Sequence, residues 1–188
     1  MKSYKISTAT ITVPNLLSTI RILLIPFFIH FTLQNKLKIA LVFFLLSSAT
    51  DFLDGLIART FNQRSKLGVF LDPLADKLLM DSSYILYSLK SIPYVQAVPG
   101  WLAITVVFRD VIIIAGAILI TLLYGEKVFI PHLLGKITTF LQVITILLVI
   151  YSNAFSHKIP YMSLLFYLTG FFTVISGLYY VLREIGRE

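Results

Sequence analysis

From Leu16 to Leu182 the chain reads as long apolar runs separated by short polar breaks. A helix needs roughly 20 apolar residues to cross a hydrocarbon core about 30 Å thick, and six such runs stand near 15–34, 37–59, 68–90, 99–123, 132–152 and 160–182. The breaks are Gln34-Asn35-Lys36, the basic run Thr60-Phe61-Asn62-Gln63-Arg64-Ser65-Lys66, Ile92-Pro93, Tyr124-Gly125-Glu126-Lys127 and Ser156-His157-Lys158. Pro99, Pro131 and Pro160 fall at or just before a first helical turn, where a missing N–H costs nothing. A closed β-barrel would show alternation over about ten residues, not unbroken apolar runs of this length. The pattern predicts an all-α, polytopic membrane protein with six transmembrane helices. One membrane domain, 15–182, follows an N-terminal interfacial segment, 1–14, and precedes a solvated tail, 183–188. The first long apolar run begins only at Leu16 and carries Arg21, which fits a cleaved signal peptide poorly.

Composition sharpens this picture. Of the 188 residues, 57% are hydrophobic and only 13% charged, with a mean hydropathy of +0.88, whereas a soluble surface draws on about 25% charged residues. The absence of cysteine rules out a disulfide scaffold, a thiol nucleophile and a Cys-based zinc site. The net charge of +7 suits anionic lipid as well as nucleic acid; the hydropathy favours lipid, and no nucleic-acid partner is expected. Lys2, Lys5, Arg59, Arg64, Lys66, Lys127, Lys136, Arg183 and Arg187 sit at one set of helix ends, against Lys36, Lys38, Lys90 and Lys158 at the other. Basic residues concentrate on the cytoplasmic side, so both termini and the 59–68 loop are expected to face the cytoplasm. Trp101, Tyr94, Tyr124, Tyr151 and Tyr161 near the ends read as an aromatic belt. His30 reads as a packed polar residue, and His132 and His157 as interfacial ones.

The scarce charges are oddly placed. Asp51, Asp54, Asp72, Asp76, Asp81 and Asp110, together with Arg21, Lys77 and Arg109, fall inside the apolar runs and include six of the nine acidic residues. An Asp at a helix centre costs about 2.5–3.5 kcal/mol on insertion, so such residues are functional candidates. For Asp81 and Asp110, pairing with a neighbouring cation is the competing reading. The other four are spaced differently. Asp51 and Asp54 stand at i and i+3, Asp72 and Asp76 at i and i+4, and each pair shares one helical face. A short connection makes the two helices antiparallel neighbours, so four carboxylates should converge near the cytoplasmic side. Four like charges in a partly dry site repel; divalent cations resolve this, and all-oxygen ligation selects Mg²⁺, with Mn²⁺ or Ca²⁺ as alternatives. Such a site in a membrane cavity points to phosphate chemistry. Gly55, Ala58 and Gly68 would let backbone approach a bulky group, though each taken alone reads as tight helix packing.

Written out, residues 51–76 are Asp51-x-x-Asp54-Gly55-x-x-Ala58-Arg59, eight residues, then Gly68-x-x-x-Asp72-x-x-x-Asp76. This resembles the complete motif of the CDP-alcohol phosphatidyltransferases. Pro14-Asn15-Leu16-Leu17-Ser18-Thr19-Ile20-Arg21 and Phe70-Leu71-Asp72-Pro73-Leu74-Ala75-Asp76-Lys77 resemble its flanks. The resemblance implies a six-helix enzyme, usually a homodimer, that moves a phosphatidyl group from CDP-diacylglycerol to an alcohol and releases CMP. It implies two divalent metal ions, Mg²⁺ or Mn²⁺, on Asp51, Asp54, Asp72 and Asp76, with Asp76 the general base. It also implies a nucleotide site shaped by Asp51, Gly55, Ala58, Arg59 and Gly68.

The acceptor is read from the remaining cations. Arg21, Arg109 and Lys136 are available in or near the spans to meet an acceptor phosphate. Glycerol 3-phosphate, giving phosphatidylglycerophosphate, is the acceptor expected of a short member of the family. Arg109-Asp110 stands where such synthases carry Arg-Glu, and Gly135-Lys136-Ile137-Thr138-Thr139 resembles their Gly-Lys-x-Lys-Thr with Thr138 in place of the second lysine. Residues 111–118 lack a further cation, and Arg109-Asp110-Val111 resembles the CMP-forming cardiolipin synthases, whose acceptor is phosphatidylglycerol. Two other classes compete. Membrane prenyltransferases also set aspartates against a diphosphate but lack the Gly-x-x-Ala-Arg element. A cation transporter with an acidic intramembrane site would act without any nucleotide.

Overall fold

Helices form where the apolar runs stand. The computed structural model describes residues 13–61, 66–124 and 133–185, and the side chains of 13–15, 17, 51–61, 66–73, 117–124 and 184–185 are not among those described. The elements are α1 (Val13–Leu33), α2 (Leu37–Phe61), α3 (Lys66–Ser88), α4 (Gly100–Tyr124), α5 (Leu133–Ala154) and α6 (Met162–Ile185), with no strand among the described residues. Each end lies within about three residues of its expected place, the ordinary scatter of helix boundaries. At the C-terminus, α6 continues to Ile185, through Arg183 and two residues more of what the sequence suggested as tail.

Two of the polar breaks end helices by the same device. After α1, Asn35 takes a φ of 58°, and the Lys36 and Asn35 N–H groups donate to the carbonyls of Phe31 and Thr32 at 2.9 and 3.0 Å. After α5, Ser156 takes a φ of 53°, and the His157 and Ser156 N–H groups donate to Ser152 and Asn153 at 2.9 and 3.4 Å. Both are Schellman closures, which satisfy the last carbonyls of a helix at the cost of one left-handed residue. His30, expected to be packed, is instead exposed on the last turn of α1, its Nε2 3.0 Å from Gln34 Nε2.

By packing, the chain divides after Leu86 into two compact units. In the first, α1 lies along α2. Phe27 and Phe31 stack on Phe43 with centroids 5.6 and 5.3 Å apart, and Phe28 meets Phe44 at 5.8 Å. In the second, α4 and α5 each pack on α6. The α5–α6 seam is polar and zipped. Thr138 Oγ1 donates to the carbonyls of Leu134 and Phe172 at 2.9 and 3.1 Å. One turn on, Gln142 donates to Thr173 at 3.1 Å, and beyond it the Thr145 and Thr169 hydroxyls are 2.7 Å apart. Gln96, in the connection before α4, is clamped against the α5–α6 turn. Asn153 donates to its carbonyl at 2.7 Å and accepts from its N–H at 3.1 Å, while Ser152 Oγ donates to its side-chain oxygen at 3.1 Å. Beside it Tyr94 stacks on the fully buried Tyr87 at 4.7 Å, and burial pushes its phenol up to about 12.

The distribution of polarity is inverted. Arg21, Ser18, Thr32, Ser47, Thr138, Thr145, Ser152, Thr169 and Thr173 are fully buried, whereas Ile104 is 71% exposed, Leu182 68% and Phe140 65%. A protein dissolved in water hides the second set, not the first. In a bilayer, by contrast, helices associate through small and hydrogen-bonding residues and present apolar side chains outward. Leu133–Ala154 and Met162–Arg183 are each long and apolar enough to cross a membrane, and among the described residues they are the two helices that meet that measure.

Gly170 supplies a test of the α4–α6 contact. A Cβ there would lie 2.4 Å from a ring carbon of Trp101, and Trp101 stacks on Tyr167 at 5.5 Å. Gly170→Ala should displace that ring and destabilise the protein by about 1–3 kcal/mol. Emission from Trp101, the single tryptophan, should shift. Gly100→Ala, where a Cβ meets nothing within 4 Å, should leave the spectrum as it is.

Candidate active site

The motif aspartates are divided between two helices. α2 carries Asp51, Asp54, Gly55, Ala58 and Arg59, and α3 carries Gly68, Asp72 and Asp76. The carboxylates therefore stand at i, i+3 and i, i+4 on continuous helix, the spacing that sets each pair on one side. The side chains of Asp51, Asp54, Ala58, Arg59 and Asp72, and their surroundings, lie outside the described residues, as do those of Gly55 and Gly68. Among the described residues no three His, Asp or Glu side chains gather closely enough to hold a metal ion.

Asp76 is described, and its partner is Arg21. α1 places Arg21 in the interior with none of its side chain exposed, and its Nη1 donates to Asp76 Oδ1 across 55 residues of sequence. A guanidinium cannot be deprotonated in a protein, and one taken fully out of water needs a counter-charge. Asp76 provides it while keeping 44% of its side chain exposed, so the carboxylate is anchored on one side and reachable on the other. The sequence reading grouped Arg21 with the acceptor cations. The structure brings it to the motif's last aspartate. The signal was available, since a lone cation in an apolar run calls for a carboxylate, but nothing in the sequence says which one.

The other two candidate cations lie in the second unit. On α4, Arg109 Nη1 donates to Asp110 Oδ1 at 2.6 Å, which is the pairing weighed for Asp110. Arg109 Nη2 donates to Ser176 Oγ of α6 at 3.1 Å. Ser176 is a partner that sequence reasoning missed, because one serine among many on an apolar helix carries no mark. Lys136 on α5 is exposed. Two residues on, Thr138, which stands in place of the second lysine of the Gly-Lys-x-Lys-Thr pattern that residues 135–139 resemble, is fully buried, with its hydroxyl committed to the α5–α6 seam. A lysine in that seam would have to bury its charge.

With this geometry in place, comparison with known proteins is informative. A family model described as CDP-alcohol phosphatidyltransferase matches residues 11–175. A probable cardiolipin synthase (CMP-forming) of Drosophila melanogaster is 35% identical over 92% of this chain and 58% of its own length. The cardiolipin synthase (CMP-forming) of Homo sapiens is 33% identical over 94% of this chain and 62% of its own. A CDP-diacylglycerol–glycerol-3-phosphate 3-phosphatidyltransferase of Bacillus subtilis is 31% identical over 87% of this chain and 90% of its own. The chain thus spans about three-fifths of the animal relatives and nearly all of the bacterial one.

The Arg21–Asp76 pair can be measured by a double-mutant cycle. Arg21→Gln should destabilise the protein by about 1–3 kcal/mol, less than the ~3–5 kcal/mol of a fully buried pair because Asp76 is partly solvated. Adding Asp76→Asn should recover part of that loss in thermal unfolding. Strict additivity of the two changes would show that the pair carries no coupling.

Proposed function

The chain belongs to the CDP-alcohol phosphatidyltransferase family, and from that premise we propose that it transfers the phosphatidyl group of CDP-diacylglycerol to a glycerol hydroxyl of a phosphate-bearing acceptor, releasing CMP. The observation that carries this reading is the complete eight-residue motif on α2 and α3, with its last aspartate held by Arg21 and still half-exposed. In the reaction the acceptor oxygen bonds to the β-phosphorus, the bridging P–O bond breaks, and CMP leaves with the electron pair. Asp76 is the base that takes the hydroxyl proton, and Arg21 fixes it in place. Gly55, Ala58, Arg59 and Gly68 shape the nucleotide side.

The donor set suits hard divalent ions, since it consists of carboxylate oxygens alone. Asp51, Asp54, Asp72 and Asp76 would hold two of them, Mg²⁺ or Mn²⁺. Such ions supply charge neutralisation for the pyrophosphate and for the departing phosphate of CMP.

We assign phosphatidylglycerol as the acceptor and cardiolipin as the product. Two observations support this: the names of the animal relatives, and the closed state of Arg109 with Thr138 in the seam, which leaves few cations for a dianion. Glycerol 3-phosphate, favoured from sequence alone, is the second reading. It is supported by the bacterial relative matched over 90% of its length.

The same proposal includes the setting. The buried polar seam and exposed apolar faces support six membrane spans. The basic helix ends put both termini and the active site on the cytoplasmic side, with 1–14 along the interface, and the family resemblance implies a homodimer.

The test uses purified protein, labelled CDP-diacylglycerol and Mg²⁺ or Mn²⁺, with phosphatidylglycerol, glycerol 3-phosphate, inositol phosphate and serine offered in parallel. CMP release is expected with phosphatidylglycerol and should stop in excess chelator. Asp51→Asn or Asp72→Asn should lower turnover by about a hundredfold or more, the scale of losing several kcal/mol of metal-held charge stabilisation, while the protein still inserts and purifies. Full activity in either variant, or turnover in chelator, would refute the metal-dependent reading.

A further inference from the structure

Among the cations described in the first unit, Arg21 is fully buried, Lys77 is partly exposed, and Lys36 and Lys38 are exposed. The place of Arg21 follows from the packing of α1 on α2. Ser18, Arg21, Ile25, Phe28 and Thr32, spaced alternately three and four residues apart, form a buried stripe on α1, and Ala40, Phe44 and Ser47 form one on α2. The second stripe continues at the same spacing into Asp51 and Asp54. Phe28 meets Phe44 at 5.8 Å, and the short connection at Gln34-Asn35-Lys36 makes the two helices antiparallel. Seven residues back along α1 stands Arg21, and seven on along α2 stands Asp51, each about 10 Å from the phenylalanine pair at the rise of an α-helix. The two therefore share one level. From α3, Asp76 reaches the same guanidinium, whose Nη1 donates to its Oδ1, whereas Lys77 is turned about 100° further round that helix. A permanent positive charge is thus built in at the level of the motif aspartates.

We propose that Arg21 is a positioning residue that sets the metal affinity of the site: its fixed charge beside Asp76 keeps divalent ions loosely held when no substrate is bound. This rests on the phosphatidyltransfer reading above. A guanidinium stays charged in a protein, so its repulsion of a divalent ion sharing the same carboxylate is constant. Between charges a few ångströms apart that repulsion is large even at the effective dielectric of a partly solvated site. It outweighs the small entropy gained by ordering one short side chain. Asp76 is 44% exposed, so an ion can approach it while the guanidinium behind it remains enclosed. Four carboxylates and two divalent ions cancel, and Arg21 then leaves one positive charge over for a pyrophosphate. Without Arg21 the same carboxylates would hold their ions more tightly, and Asp76 would be committed to an ion at the expense of the acceptor hydroxyl.

The experiment titrates Mn²⁺ into the purified, substrate-free protein, following free ion by electron paramagnetic resonance, and measures kcat for CMP release in parallel. Arg21→Gln, or Arg21→Met, which fills similar space without charge, should lower the Kd for Mn²⁺ by about tenfold, the scale of removing one unit charge beside a partly solvated site. The same variants should lose about tenfold or more in kcat, since the base is no longer held for proton transfer. Arg21→Lys keeps the charge but not the planar fork, so its Kd should stay within about twofold of the unaltered value while kcat recovers only in part. Asp72→Asn, added to Arg21→Gln, should cancel the gain in affinity. A neutral variant that folds only when Mn²⁺ is supplied would also support the proposal. Unchanged or weaker Mn²⁺ binding in a folded neutral variant, which a merely structural Arg21 predicts, would overturn it. So would tighter binding in Arg21→Lys, a gain that survives Asp72→Asn, or failure of both neutral variants to fold even with Mn²⁺. Each of these leaves phosphatidyl transfer standing as long as the unaltered protein releases CMP. Absence of both Mn²⁺ binding and CMP release in the unaltered protein would remove that reading, and this inference with it.

Discussion

A polar group that has no water to bond must find its partner within the protein, and the interior of this chain is organised around that constraint. Thr138, Gln142 and Thr145 face Phe172, Thr173 and Thr169 along the α5–α6 seam, and every one of these side-chain hydroxyl and amide contacts is internal. Because lipid chains are as apolar as leucine, burying Leu or Phe between helices gains little in a membrane. The seam combines hydrogen bonds with the buried side chains of Ile146, Val149 and Ile150, while Phe140, Leu164, Phe171 and Leu182 turn outward.

The same constraint governs the charges. Arg21 is fully buried and is tolerated because Asp76 answers it; Arg109 is enclosed and is answered by Asp110 and Ser176. The two pairs differ in what they leave accessible. Asp76 remains 44% exposed, whereas Asp110 is 6% exposed. One pair leaves its carboxylate accessible, and the other encloses both partners. Breaking such a pair costs more than forming it gains, since the surviving partner is left uncompensated. Both are therefore points where a single substitution has effects out of proportion to its size.

Much of the architecture was legible in the order of residues. The apolar runs mark the helices because each is long enough to wind several turns before a polar break, and the breaks at Asn35 and Ser156 mark the ends because a left-handed residue there closes the last carbonyls. The motif from Asp51 to Asp76 was legible for a different reason. Its chemistry needs carboxylates at helical spacing, and spacing along a helix is already written in the sequence. Where α6 stops was not legible, because Arg183 and Glu184 read equally well as a last helical turn or as a tail.

Local periodicity thus determined the helical fold, and the spaced motif from Asp51 to Asp76 determined the family. Which charge answers which was decided by tertiary structure alone. Arg21 was grouped with the acceptor cations in the sequence and gained a carboxylate partner when α1 brought it to Asp76, 55 residues away. Arg109 and Lys136 looked equivalent as acceptor cations until packing against Gly135, Ser176 and Gly177 enclosed the first and left the second open. The reason is that electrostatic partnership depends on distance and desolvation across helices, and neither quantity is carried by spacing along one of them.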